Sequence, residues 1–111
     1  MFTHPRVEDR FLPKPADPVF VDIVGKGFYE RCKARDVSSN GIGIFVRHDF
    51  KDVDLNHEVD LHITLPGHKP FKAIGQIRHR GLGTDHYFGV SLISVDSLGR
   101  SLLDDYLRSL K

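Results

Sequence analysis

The chain contains no tryptophan, one cysteine and one methionine among its 111 residues. A single cysteine, Cys32, cannot form an internal disulfide, which fits a reducing compartment such as the cytoplasm. No apolar run approaches the ~20 residues of a membrane-spanning helix, and the N-terminus lacks the hydrophobic core of a signal peptide. A formal net charge of +1 gives no general attraction to nucleic acid or anionic lipid. We therefore expect a cytoplasmic protein without membrane insertion, in which any anion site is local.

Length and composition are those of one small globular domain, with 40% hydrophobic and 28% charged residues. Four of the six prolines lie in residues 1–18. Proline fixes φ and removes a backbone donor, so this stretch predicts an extended, flexible N-terminal arm. Residues 19–111 then predict the folded domain.

Apolar and polar side chains alternate along six short stretches, which is typical of half-buried β-strands. The clearest alternation covers residues 58–65, where every second side chain is apolar. The period changes near the end, where leucines recur every three or four residues and predict an amphipathic helix at about 97–110. We therefore predict a mainly β fold, a six-stranded antiparallel β-barrel with a C-terminal α-helix that covers one end or side.

Two short patterns carry the residues that could bind a ligand. Asp36, Ser38 and Gly41 form a D-x-S-x-x-G pattern between the second and third predicted strands, and Arg6 and Arg10 form an R-x-x-x-R pair on the arm. A guanidinium matches phosphate oxygens and the O6 and N7 atoms of guanine. A carboxylate only accepts hydrogen bonds, which suits the N1–H and exocyclic amine of guanine. Glycine lets a ligand approach the backbone closely.

Both patterns, in this order, resemble the signature motifs of PilZ domains, the bacterial receptors for cyclic di-GMP. Gly75-Gln76-Ile77-Arg78 and Tyr87-Phe88-Gly89-Val90 are similar to the late strands of that family, so the resemblance covers most of the chain. It implies a receptor or adaptor with cyclic di-GMP as its ligand, no further cofactor, no metal and no catalysis. The ligand-binding residues that it implies are Arg6, Arg10, Asp36, Ser38 and Gly41.

The resemblance also leads us to expect a clamp. Residues 1–12 would be mobile in the free protein, and the nucleotide would bridge the arm arginines to Asp36 and Ser38. The ordered arm would then form a surface for an unidentified downstream effector protein. Pro5 stands where many members carry a further arginine, which favours one bound nucleotide over a stacked pair.

Several other interpretations stay open. The domain could be a PilZ-like protein–protein interaction module that works without a nucleotide. A barrel that binds RNA or single-stranded DNA is less expected, because such barrels usually expose several stacking aromatics. Arg31 and Arg35 repeat the R-x-x-x-R spacing, which strand alternation explains as a solvated face. Arg78 and Arg80 could line the ligand groove or lie on a solvated barrel wall. The spacing of the seven histidines in the sequence shows no metal-binding pattern.

Overall fold

A computed structural model describes residues 10–25, 27–46, 55–81 and 86–110. The described residues form six β-strands followed by one α-helix. Their bounds are β1 Phe20–Gly25, β2 Phe28–Val37, β3 Gly41–Phe45, β4 Glu58–Thr64, β5 Phe71–Arg80, β6 Tyr87–Val95 and α1 Ser97–Ser109.

The strands close into a barrel in the order β1-β2-β3-β6-β5-β4, and every neighbouring pair is antiparallel. Closure pairs both edges of every strand with a neighbour, so no long strand edge is left for another chain to extend. The predicted fold class, a six-stranded antiparallel barrel with a C-terminal helix, is confirmed.

Alternate side chains of each strand fill the barrel interior. The alternation over residues 58–65 is confirmed, because its four apolar side chains are at most 2% exposed. Branched aliphatic residues dominate this interior, and they pack well on a pleated surface. The largest side chains that are almost fully buried are Phe88, Ile23, Ile42, Ile44, Leu61, Ile63, Leu65, Ile77 and Leu103.

Helix α1 begins at a side-chain cap and lies against the barrel. The Oδ1 atom of Asp96 accepts a hydrogen bond from the backbone N–H of Gly99 at 2.6 Å, as an N-cap residue does. Leu103 and Leu107 are buried in the common core. Within the described ranges, no helix is long and apolar enough to cross a membrane.

Lys14 and Asp17 line a pocket together with residues of the C-terminal half of α1, Asp105, Tyr106 and Ser109. Burial raises the pKa of the Tyr106 phenol above its ordinary value of 10.0, and the nearby Asp17 carboxylate raises this pKa further. Both effects disfavour the phenolate, so Tyr106 stays neutral well above physiological pH.

Replacement of Gly99 tests how closely the helix approaches the barrel. Alanine favours a helix over glycine by about 1 kcal/mol. A Cβ at position 99, however, would overlap the ring of Phe71, with Cγ at 2.8 Å. Overpacking against a rigid ring costs about 1–3 kcal/mol. The two effects together give a net loss of about 0–2 kcal/mol, and we expect Gly99→Ala to lower the free energy of unfolding by about 1 kcal/mol in urea denaturation.

The matched control is Ser101→Ala, on the exposed side of the same helix. This change should alter the free energy of unfolding by no more than about 0.5 kcal/mol. A Gly99→Ala protein as stable as the Ser101→Ala protein would contradict the close contact with Phe71.

Candidate functional site

A β-bulge in β2 brings Asp36 to the outer surface of the barrel. Ala34 pairs with Ile44, whereas Asp36 pairs with Gly43, so the register shifts by one residue at Arg35. In an uninterrupted strand, Asp36 would share the inward face of Ala34, and its carboxylate would enter the apolar core. The extra residue reverses the alternation and turns the Asp36 side chain outward, over β3.

Gly43 makes room for this carboxylate. A Cβ at position 43 would lie 2.9 Å from each carboxylate oxygen of Asp36. The side chain therefore lies flat on the β3 backbone, and Asp36 is only 7% exposed although it is on the outer face. We did not select Gly43 from the sequence. The available signal was the spacing Gly41-Ile42-Gly43, because a glycine inside a strand often marks a close approach.

Two guanidinium groups cover the Asp36 carboxylate, one on each oxygen. Arg10 Nη1 lies 2.8 Å from Oδ1, and Arg35 Nη1 lies 3.3 Å from Oδ2. The Arg35 guanidinium also stacks on the Tyr87 ring, 4.2 Å from its centroid. Both arginine side chains are nearly half exposed, whereas the carboxylate side chain is 11% exposed. The cluster therefore presents two cations for one covered anion, a local surplus of positive charge.

The Ser38–Gly41 turn follows directly. The backbone N–H and the Oγ of Ser38 both donate to the carbonyl of Gly41, at 2.9 and 3.2 Å, and Ser38 is fully buried. The φ of Gly41 is not in the left-handed region, so backbone conformation does not require a glycine here. Space explains the glycine instead, because a Cβ there would lie 3.3 Å from both Ser38 Oγ and the carbonyl oxygen of Val90.

The arm is attached to the barrel at Phe11. Phe11 and Val37 exchange two backbone hydrogen bonds of 2.9 Å, and the Phe11 side chain packs against the core. Phe11 belongs to residues 1–12, whose mobility in the free protein stays a prediction. This attachment places Arg10 beside Asp36. Arg6, the other predicted arginine, lies outside the described residues.

Arg78 lies on the same outer face, two strands away from the turn. Its Nε donates to Ser91 Oγ at 3.3 Å, and its Nη1 donates to Asn56 Oδ1 at 3.0 Å. Ser91 is the register partner of Gly41. The described structure thus brings together Arg10, Asp36 and the turn, with Arg35, Gly43 and Arg78 as neighbours. Among the described residues, no three His, Cys, Asp or Glu side chains converge in a way that could hold a metal ion.

A model of the PilZ domain matches residues 4–109, nearly the whole chain. The chain belongs to the PilZ domain family. The match contains both sequence patterns, so the resemblance seen in the sequence is confirmed.

Solved structures share the fold of this PilZ domain. The PilZ domain with c-di-GMP of YcgR from Escherichia coli has a TM-score of 0.74 at 12% identity, covering 96% of this chain and 92% of that one. The MrkH–c-di-GMP complex of K. pneumonia has a TM-score of 0.83 at 11% identity, covering 97% and 53%. The Bacillus subtilis inhibitor of motility (MotI/DgrA) has a TM-score of 0.77 at 16% identity, covering 96% and 51%. At these identities the likeness concerns the fold.

A sequence relative is an uncharacterised protein of Aquifex aeolicus (strain VF5), 30% identical over 79 residues. The matched region is 63% of this PilZ domain, and it spans 34% of the length of that relative.

A double-mutant cycle tests the packing of Asp36 on Gly43. We expect Gly43→Ala alone to lower the free energy of unfolding by about 1–3 kcal/mol, because the new methyl group overlaps the carboxylate. In an Asp36→Ala background the overlap is gone, so the same change should be neutral or should stabilise the strand by about 0.5–1 kcal/mol. Additive effects in urea denaturation would show that the two positions do not touch.

Proposed function

We propose that this PilZ domain is a receptor for cyclic di-GMP that acts as a binding module and not as an enzyme. The observation that carries the proposal is the covered Asp36 carboxylate on the outer face, with two half-exposed guanidinium groups above it. Two structural neighbours, the PilZ domain of YcgR and MrkH, are complexes with c-di-GMP, which supports the proposal.

The site chemistry fits a guanine dinucleotide. The acceptor-only carboxylate of Asp36 suits the N1–H and exocyclic amine of guanine. Arg10 and Arg35 can pair with phosphate oxygens or with the O6 and N7 atoms of the base. Because the Asp36 carboxylate is covered, removing its partners without replacement would be costly. A ligand that donates hydrogen bonds to the carboxylate replaces those it displaces, so no buried charge is left unpaired.

The arm supplies the second half of the proposed site. Phe11 already holds the end of the arm on β2, so Arg10 needs no large movement to reach a ligand. Arg6 would close over the nucleotide from the other side, as the R-x-x-x-R motif implies. Arm and barrel would then form a continuous surface for a downstream effector protein, with the nucleotide between them.

The expected affinity needs several contacts at once. Micromolar binding corresponds to about 8 kcal/mol, and one good arginine–guanine contact contributes roughly 1–3 kcal/mol. No single side chain reaches that sum. Loss of any one contact should therefore weaken binding by a measurable factor without necessarily abolishing it.

Titration calorimetry with cyclic di-GMP in low salt tests the proposed function. We expect wild-type binding in the micromolar range, and a Kd at least about tenfold higher for Arg10→Ala and for Asp36→Ala. Arg31→Ala is a matched control. Arg31 also combines an ion pair, to Asp22 at 3.2 Å, with an aromatic contact, to the Phe20 ring at 4.7 Å. Its removal should leave the Kd within about twofold.

Absence of heat for the wild type at high micromolar ligand would refute the receptor proposal. The nucleotide-independent protein–protein module would then be favoured over a barrel that binds RNA or single-stranded DNA, and capture of one partner with and without nucleotide would support it. Equal losses for all three variants would indicate nonspecific charge attraction.

The arm has its own test. We expect the backbone amide resonances of residues 1–9 to shift on saturation with cyclic di-GMP. In the Arg6→Ala variant most of that shift should disappear, while the barrel should still bind cyclic di-GMP, with a lower affinity than the wild type. Resonances that stay in place at saturating ligand would refute the clamp while leaving binding at the barrel surface intact.

A further inference from the structure

One arginine of α1 holds the candidate binding turn. Arg100 Nη2 donates to the backbone carbonyl of Ser39, and Arg100 Nη1 donates to Asn40 Oδ1 at 3.4 Å. The partners are separated by 61 and 60 positions in the sequence. Ser39 and Asn40 are the two variable positions between the serine and the glycine of the D-x-S-x-x-G pattern, so the contact is made at the centre of the turn.

The same helix places a carboxylate beside this guanidinium. Asp104, one helical turn further on, places its Oδ1 3.7 Å from Arg100 Nε, as an i,i+4 ion pair. Among the described residues, the buried Arg100 Nε has no hydrogen-bond partner, although the side chain as a whole is 35% exposed. The two acceptors on the turn therefore orient the planar group, and the Asp104 carboxylate adds a charge attraction from the helix. A planar fork of this kind suits two acceptors held at fixed positions.

Three of the four carbonyl groups of the Ser38–Gly41 turn accept hydrogen bonds from β6, from α1 and from Ser38 of the turn itself. The carbonyl of Asn40 accepts from the N–H of Leu92 on β6 at 2.8 Å, and that of Gly41 accepts from Ser38. The carbonyl of Ser39 accepts from Arg100 on α1. Because a peptide unit is planar, fixing its carbonyl fixes the whole plane. Arg100 therefore sets the plane between Ser39 and Asn40.

We propose that Arg100 is a positioning residue for the nucleotide site. It holds the central peptide of the turn in the geometry that accepts cyclic di-GMP, and it does so from a helix that contributes no predicted ligand contact. The proposal rests on the proposed function. Arg100 should also hold the turn in the ligand-free protein, and this can be measured separately.

Calorimetry of three helix variants tests the effect on binding. We expect Arg100→Ala to raise the Kd for cyclic di-GMP about tenfold. Arg100→Lys should recover part of this loss, because an ammonium group can reach one acceptor but lacks the fork. The matched control is Arg108→Ala on the same helix, whose guanidinium pairs with Asp105 in an i,i+3 arrangement. This exposed pair should leave the Kd within about twofold.

Amide hydrogen exchange without ligand separates positioning from general destabilisation. The N–H group of Ser38 donates to the Gly41 carbonyl within the turn, and the N–H group of Leu92 donates to the Asn40 carbonyl from the neighbouring strand β6. They should exchange faster in Arg100→Ala, by about tenfold, than in Arg108→Ala. Amides of the barrel strands far from the turn, such as Val21 and Ile63, should exchange at the same rate in both variants.

The outcomes are distinct. A Kd for Arg100→Ala equal to that of Arg108→Ala would overturn the proposal, and so would a loss of protection spread equally over turn and barrel. If the wild type binds no cyclic di-GMP, the proposed function fails. Amide hydrogen exchange in the ligand-free protein then tests the role of Arg100 by itself. Faster exchange confined to the turn would then support Arg100 as its positioning residue, and unchanged exchange would overturn that role.

Discussion

An unpaired carboxylate is strongly disfavoured in the apolar interior of a small barrel. This constraint on Asp36 shapes the whole site. The bulge at Arg35 turns this side chain outward, and Gly43 gives it a flat surface to lie on. Arg10 and Arg35 then compensate its charge from the solvent side. The site is thus assembled on rigid strands, and only the arginines above it are free to change partners.

This arrangement is what a nearly neutral chain would need to bind the proposed anionic ligand. The net charge of +1 provides no long-range attraction. The attraction would instead be local, because the carboxylate is covered while its two cationic partners remain half exposed. Charge-assisted hydrogen bonds at such a site are stronger than neutral ones. They also allow an anionic group of a ligand to take the place of the Asp36 carboxylate as the partner of an arginine, because both groups are negatively charged.

The turn connects this site to the rest of the molecule. Its carbonyl groups are held by β6, by its own serine and by α1, so the turn contacts elements that are distant in the sequence. The attachment of Phe11 to Val37 adds the arm to the same point. A ligand at the turn would therefore touch the junction of arm, barrel and helix. This position would suit a module that signals to a partner protein whether its ligand is bound.

The sequence alone determined the strands, the helix, the inward-facing residues and the family, because alternation, helical periodicity and short motifs are local properties of a chain. It also placed Arg10, Asp36, Ser38 and Gly41 in one candidate site, as a resemblance implies. Only the tertiary structure decided that Asp36 faces outward, that Gly43 lies beneath it and that Arg100 reaches the turn from sixty positions away. Register shifts and cross-strand contacts depend on how distant segments pack together, and no local pattern specifies that packing.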